Sequence, residues 1–461
     1  MNLPESGKAI VIDDKADEGL PLIKVLSKCR ISTIYFTGEI NELPPKPFND
    51  VRIIFLDLVL GGMTSRDEKT ILSTLINVIK RIVHTNNGPF IIVLWTKHDE
   101  YIDGFKNILR RENYKAMVLN LQKSECQNGA GRSYDLGKIK KNLDKRLKNL
   151  KIFDLFLLWE NILHDSASNI VNEFSKLVDF YDSDRWNTEM QKVFYNLARA
   201  QAGGRLSEGE TLEILKNSLF TFMGLFQDTT EKKIHKISSS PLDNFETGEI
   251  DKKIKAEINS RLLLDFSTQN GLYPGNVYEI KDDDSLKKII YDSIYQEELL
   301  EEFSNMKGVN LNEMLDRDKK IKDSYKPEFK RFFKEVRNTI KDNSILVQIE
   351  ISPLCDFTQN KMKLSRIVKG FLCPVEVQIN GTTIQTYENL KRSAHFLYVS
   401  PAIKHEEKLY RLVVDFRHFS AKPIDEINRN TPIFRLRKEI LIDIQTKLSS
   451  HINRPGVLFV E

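Results

Sequence analysis

Apolar and polar positions alternate in blocks along the first part of the chain. Short apolar runs, KAIVI (8–12), ISTIYF (31–36), VRIIFLDLVL (51–60), FIIVLW (90–95) and AMVLNL (116–121), are separated by stretches at 17–28, 68–84 and 101–112 with apolar residues three or four apart. Continuous apolar strands separated by amphipathic helices predict βα units, in which helices cover both faces of a parallel sheet. The expectation for residues 1–127 is therefore a five-stranded, doubly wound α/β layer of flavodoxin-like order.

The rhythm then changes. A basic stretch, KIKKNLDKRLKNLK (138–151), reads as a connector, and the spacing of Phe153, Phe156, Trp159 and Ile162 opens a helical segment that runs to about residue 235. At least four helices are expected between 152 and about 235. The polar stretch at 236–254, with its Ser-Ser-Ser-Pro punctuation, reads as a linker or exposed loop. Residues 255–461 are expected to form an α+β domain. It begins with LYPGNVYEI, a turn entering a strand, and a charged helical region from 284 to about 342. The strand-like runs SILVQIEIS, RIVKGFLCPVEVQI, TTIQTY, HFLYVS and LYRLVVDF follow, with a helix at 432–450. Short strands joined by turns such as QINGTT (378–383) suggest an antiparallel barrel or sandwich.

Composition narrows the setting. At 461 residues with 41% hydrophobic content, the chain is long enough for several cores. Lys and Arg (69) nearly balance Asp and Glu (65), so any nucleic-acid site must rest on a local patch. Cys29, Cys126, Cys355 and Cys373 are scattered without C-x-x-C pairing, which fits a reducing, cytoplasmic setting. The opening MNLPESGKAIVIDD carries acid and reaches a strand at once, and no apolar run has membrane-span length, so neither export nor membrane insertion is expected.

The chemistry concentrates at strand ends. Asp13 and Asp14 follow the first strand, and Asp57 ends the apolar run VRIIFL. Parallel sheets bind ligands outside the carboxyl ends of their strands. Three carboxylates converging there need a cation, and an all-oxygen set suits Mg²⁺. Asp57, alone on its strand, is the natural nucleophile toward phosphorus. Thr96 follows the fourth strand with a hydroxyl that can donate to a phosphoryl oxygen, and Lys123 follows the fifth with an ammonium that can pair with it.

With an acidic pair, a central Asp, a Thr and a Lys in that order, residues 8–127 resemble the receiver domain of response regulators in two-component signalling. The resemblance implies that Asp57 takes a phosphoryl group from a sensor histidine kinase or a phosphorelay protein. It further implies that Asp14 binds Mg²⁺ directly, Asp13 binds it through water, and the backbone carbonyl of Val59 adds a ligand, while Thr96 and Lys123 sense the phosphate. Two positions depart from the family pattern: Ser124 stands where Pro usually follows the Lys, and Asn120 stands where an aromatic residue usually serves as the switch. Trp95 or Tyr101 is then the substitute aromatic, and Lys97 the alternative to Lys123. With its large extension and no helix-turn-helix pattern, the segment also looks like divergent receivers of bacterial conflict and anti-phage systems, which implies a separate effector protein as a partner.

Elsewhere the signals are scattered. Cys355 and Asp356 with Cys373 and His395 can be read as a metal site, and Cys355, His395 and Asp415 as a nucleophile system, but buried cysteines explain the letters more simply. Arg417, His418, Lys422, Arg429, Arg435, Arg437 and Lys438, interleaved with Phe416, Phe419 and Phe434, form a candidate nucleic-acid patch, against which stands a solvated face over a core. The expected function is a response regulator signalling to a C-terminal output domain. The alternatives are a receiver-regulated hydrolase or nuclease in 255–461, and a non-catalytic scaffold with a degenerate receiver.

Overall fold

The computed structural model describes residues 8–61, 67–129, 133–148, 150–178, 182–202, 206, 209–240, 242, 245–267, 271–280, 289–290, 293–294, 299–316, 320–358, 361–386, 395–427 and 431–452. The chain divides into two compact units, Met1–Glu246 and Thr247–Glu461.

In the first unit five strands form one parallel sheet: β1 (Lys8–Ile12), β2 (Thr33–Phe36), β3 (Val51–Leu56), β4 (Phe90–Thr96) and β5 (Ala116–Gln122), in the order β2-β1-β3-β4-β5. Successive strand residues point to opposite faces, and both faces here are apolar. Ile10, Ile12, Ile54, Leu56, Ile92 and Leu94 pack beneath α2 (Glu68–Ile82) and α3 (Ile102–Arg111). Ala9, Val11, Ile53, Phe55, Ile91, Val93 and Trp95 pack beneath α1 (Ala16–Lys28). The result is the doubly wound, receiver-like layer that the apolar runs predict. Between β2 and β3 the described crossover is a loop with one short turn, Ile40–Glu42.

The basic stretch expected as a connector is largely helix α4 (Leu136–Leu147). Its lysines face water, but Ile139, Leu143 and Leu147 fall on one helical face and are buried in the α1 side of the sheet core. The core of the layer thus runs past residue 127. Phe153 and Leu157, in the first two turns of α5 (Lys151–Ser175), join the same core. Arg52 on β3 makes a bidentate pair with Glu160 of α5, with Nε 2.8 Å from Oε2. Among the described residues of 152–235, where at least four helices were expected, there are three, α5, α6 (Ser183–Gln201) and α7 (Thr211–His235), because α5 and α7 each run unbroken for 25 residues.

In the second unit α8 (Lys252–Leu263) precedes an antiparallel sheet in the order β12-β14-β9-β8-β7-β15-β6, with β13 paired to β14. These strands are β6 (Leu264–Asp265), β7 (Asn276–Glu279), β8 (Ile345–Glu350), β9 (Leu364–Pro374), β12 (Leu397–Val399), β13 (Ile403–His405), β14 (Lys408–Pro423) and β15 (Phe434–Leu436). The barrel or sandwich expected from sequence takes the form of one strand-rich sheet with half-barrel curl. Its two faces are covered differently. Phe371, Cys373, Leu397 and Val413 pack with the helices Leu300–Lys307 and Lys326–Asn343, whereas Val347, Leu372, Leu412 and Val414 pack with the closing helix Lys438–Ile452. A separate hairpin, β10 (Glu376–Ile379) and β11 (Thr382–Gln385), turns at Asn380 and Gly381, whose φ angles of 51° and 81° give the positive-φ pair that a tight hairpin requires. Among the described residues no helix is long and apolar enough to cross a membrane.

Candidate functional site

Strand order places the site. After β1 the chain passes to β2 on one side and returns to β3 on the other, so β1 and β3 lie at the point where the winding reverses, the usual ligand crevice of an open α/β sheet. Ile12 and Leu56 are register partners, and the Asp57 amide donates to the Ile12 carbonyl at 2.9 Å. Asp13 and Asp57 therefore leave the sheet side by side. On the neighbouring pair, Thr96 is register partner to Gln122, which brings Thr96 beside the start of the turn Lys123–Cys126.

Lys123 joins these ends. Its ammonium donates to Asp57 Oδ2 at 2.7 Å and to Asp13 Oδ2 at 2.8 Å, and also to Glu18 Oε2. The side chain is 1% exposed, and all three of its N–H groups face carboxylates. Burial alone would lower its pKa, but the charges of Asp57 and Asp13 and their hydrogen bonds outweigh burial and raise it. The ammonium is therefore fixed in its charged form.

Asp13 is fully buried. Its Oδ1 accepts from the Lys15 amide at 3.0 Å, and its main-chain carbonyl accepts from the Tyr35 hydroxyl at 2.6 Å. Desolvation pushes its pKa up to about 6, against the pull of Lys123 and with help from the neighbouring charge of Asp57. Asp14 is half-buried and its Oδ2 accepts from the Gly61 amide at 3.0 Å. Asp57 Oδ1 takes a long 3.4 Å contact from the amide of Val59, whose side chain is buried. Carboxylate oxygens of Asp13, Asp14 and Asp57 lie within 4.8 Å of one another, the one such group of potential metal ligands among the described residues.

Glu18 escaped the reading of the sequence. It lies in the first turn of α1, where an acidic residue is ordinary because it favours the positive helix end. In the fold it is buried, pairs with Lys123, and accepts from Lys97 Nζ at 2.9 Å. These bonds hold its pKa below the usual carboxylate value although burial pushes the other way. The only signal in the sequence was the one-turn distance of Glu18 from the acidic pair. Counted as ionised, Asp13, Asp14, Asp57 and Glu18 exceed Lys123 and Lys97 by two negative charges. A divalent cation would neutralise that excess, and the carboxylate oxygens of Asp13, Asp14 and Asp57 are a donor set of the kind Mg²⁺ takes.

The remaining residues of the pattern also have defined places. Thr96 is fully buried and its Oγ1 accepts from the His98 amide at 3.0 Å. Lys97 reaches Glu18 rather than Asp57. Trp95 lies in the core beneath α1, its indole donating to the Glu18 carbonyl at 3.1 Å. Tyr101 packs partly buried at the opposite face. Asn120 donates to Asp99 at 3.0 Å, and Ser124 to Gln122 at 3.3 Å.

In the second unit no three of the Cys, His, Asp and Glu side chains gather as potential metal ligands among the described residues. Cys373 sits opposite Arg411 on β14, whereas Asp415 sits opposite Lys369, four residues away along β9 or about 13 Å. Cys373 is fully buried, and burial pushes its thiol up to about 12. Cys355 is exposed beside Asp356, which pairs with Arg366, and His395 stacks on His451 at 5.9 Å. The basic patch is largely committed as well. Arg417 pairs with Asp415 at 2.6 Å over the ring of Phe396, and Arg435 pairs with Asp265 at 2.6 Å over the ring of Tyr273. Arg437 is exposed and donates to the Leu264 carbonyl, and Lys438 is exposed. Phe416 and Phe434 are buried in the core, where they cannot stack on bases, and Arg429 lies outside the described residues. No protein-family model matches the sequence, and no curated protein matches it.

Proposed function

We propose that residues 1–127 form a phosphoryl-accepting receiver with Asp57 as acceptor, and that it signals to a C-terminal output domain in 255–461. The observation that carries this reading is the 2.7 Å contact between Lys123 Nζ and Asp57 Oδ2 beside the Asp13, Asp14 and Asp57 oxygens. An Asp57 oxygen attacks the phosphorus of a phosphohistidine in a sensor kinase or phosphorelay protein. A carboxyl–O–P bond forms, the N–P bond breaks, and the electron pair stays on the imidazole nitrogen. Hydrolysis reverses the gain: water attacks phosphorus, the bond to Asp57 breaks, and inorganic phosphate leaves.

In this reading Asp14, Asp57 and the Val59 carbonyl, with Asp13 through water, would hold Mg²⁺, and the cation would offset the negative charge of the phosphoryl group in transfer. Lys123 and Thr96 then bind phosphoryl oxygens, the ammonium by charge and the hydroxyl by hydrogen bond. The proposed setting is the cytoplasm, with a separate effector protein as partner, in a circuit such as bacterial anti-phage defence; the resemblance alone supports the setting. A hydrolase or nuclease in 255–461 finds less support, because among its described residues no three Cys, His, Asp or Glu side chains gather as Asp13, Asp14 and Asp57 do, and Cys373 lies four strand residues from the partner of Asp415.

Incubating the full chain with phosphoramidate and Mg²⁺ tests the proposal. The expected product is one base-labile phosphoryl adduct by intact mass, absent from Asp57→Asn. An unlabelled wild-type chain would leave the scaffold with a degenerate receiver as the better reading.

A further inference from the structure

Glu18 takes the third N–H of Lys123, the residue on which the phosphoryl reading depends. Its other oxygen is held by Lys97, the residue after Thr96, and its main-chain carbonyl by Trp95, the residue before Thr96. Asp57, Lys123, Glu18 and Lys97 therefore form one buried-to-surface chain of alternating charge. It runs from the end of β3 to the end of β4 by way of α1.

We infer that Glu18 is a positioning residue that holds Lys123 in its unphosphorylated arrangement and so disfavours a phosphoryl group at Asp57; the inference rests on the reading of Asp57 as acceptor. A phosphoryl group on Asp57 consumes the carboxylate charge that Lys123 now faces. It replaces that charge with oxygens carrying close to two negative charges. Lys123 must turn toward those oxygens, and Glu18 competes for the same ammonium while its own charge repels them. Lys97 acts in the opposite sense. By binding the second oxygen of Glu18 it draws charge away from Lys123, and without it the Glu18 carboxylate bears on Lys123 alone. The aromatic switch of the receiver pattern is replaced by Asn120, whose amide is held by Asp99. When Lys123 turns toward phosphoryl oxygens it must loosen its bonds to Asp13 and Glu18, and of these two Glu18 is the one also tied to the end of β4 through Lys97.

The test measures affinity of the full chain for beryllofluoride in Mg²⁺, a mimic of the phosphoryl group, by fluorine NMR, alongside phosphoramidate labelling of Asp57. Glu18→Gln keeps the shape and removes the charge, and is expected to tighten beryllofluoride binding by roughly tenfold. Lys97→Gln, at a half-exposed position, is expected to weaken it. A purely structural role for the cluster would move both variants in the same direction, and that result, or no change in either, overturns the inference while leaving Asp57 as acceptor. A wild-type chain that neither labels nor binds overturns the acceptor reading and this inference together. Should Glu18→Gln fail to fold, an unchanged affinity in Lys97→Gln is by itself enough to reject the inference.

Discussion

Lys123 and Asp57 form a buried ion pair of 2.7 Å between the end of β5 and the end of β3, two strands that are not neighbours in the sheet. The pair ties together strand ends that backbone hydrogen bonds do not join. It does so with side chains 1% and 10% exposed, so solvent screens it little.

Removing either partner should therefore have unequal effects. Lys123→Met leaves Asp13, Asp57 and Glu18 facing one another without their cation, at an expected cost of about 3–5 kcal/mol. Asp57→Asn leaves Lys123 with two carboxylates and relieves the repulsion of Asp13, and should cost much less. Urea denaturation of both variants in EDTA measures the difference, and added Mg²⁺ should restore part of the loss in Lys123→Met, which keeps the Asp13, Asp14 and Asp57 oxygens, and little of it in Asp57→Asn.

The raised pKa of Asp13 gives a pH dependence of definite sign. Its ordinary value is 3.8 and its folded value about 6, so between these the folded state binds the extra proton. Stability from this group consequently falls as pH rises through that window, by an amount on the order of 3 kcal/mol. Glu18, whose folded pKa is lowered, contributes with the opposite slope at lower pH. Comparing wild type with Asp13→Asn in EDTA isolates the first effect: the wild type should lose ground against the variant as pH rises toward about 6. A constant difference would show that Asp13 titrates normally.

Helix α4 is expected to behave as core. Leu143→Ala should destabilise the first unit by about 2–5 kcal/mol, whereas Lys140→Ala, on the exposed side of the same helix, should change it by less than about 0.5 kcal/mol. Thermal unfolding followed by circular dichroism distinguishes the two.

Helix α5 is fastened to β3 by Arg52 and Glu160, whose side chains are 15% and 28% exposed. A double-mutant cycle with Arg52→Ala and Glu160→Ala should give a coupling of about 1 kcal/mol. A coupling near zero would mean that Phe153 and Leu157 alone hold the helix to the sheet.

The approach of α1 to the sheet depends on Gly19. A Cβ there would stand 2.8 Å from the ring of Tyr35, whose hydroxyl holds the Asp13 carbonyl. Gly19→Ala should cost about 1–3 kcal/mol and weaken Mg²⁺ binding measured by calorimetry, because a displaced ring no longer fixes the main chain at Asp13.

The apolar runs at 8–12, 51–56 and 90–95 were legible as strands because each is buried on both faces, which demands continuous apolar residues whatever their partners. Asp13, Asp14, Asp57, Thr96 and Lys123 were legible as a set because each follows such a run, and parallel strands must deliver their carboxyl ends to one edge. Helix α4 was harder to place. Its five Lys and Arg residues dominate the letters, while the three buried apolar residues that dock it are ordinary in any helix. The ion pairs of the C-terminal basic residues were not legible either: Arg417 and Arg435 find their partners in Asp415 and Asp265, and Asp265 lies 170 residues from Arg435.

Local periodicity and strand-end chemistry therefore sufficed for the parallel layer, the Asn380–Gly381 hairpin turn and the five-residue pattern, since each depends on neighbours in the chain or on a direction common to all strands. The partners of a charge do not follow from its neighbours. Whether Lys123 meets two carboxylates or three, and whether Lys97 lies by Asp57 or Glu18, is set by where α1 and the turn after β5 come to rest. Glu18 reads as an ordinary first-turn acid until the folded chain brings it to Lys123 across 105 residues.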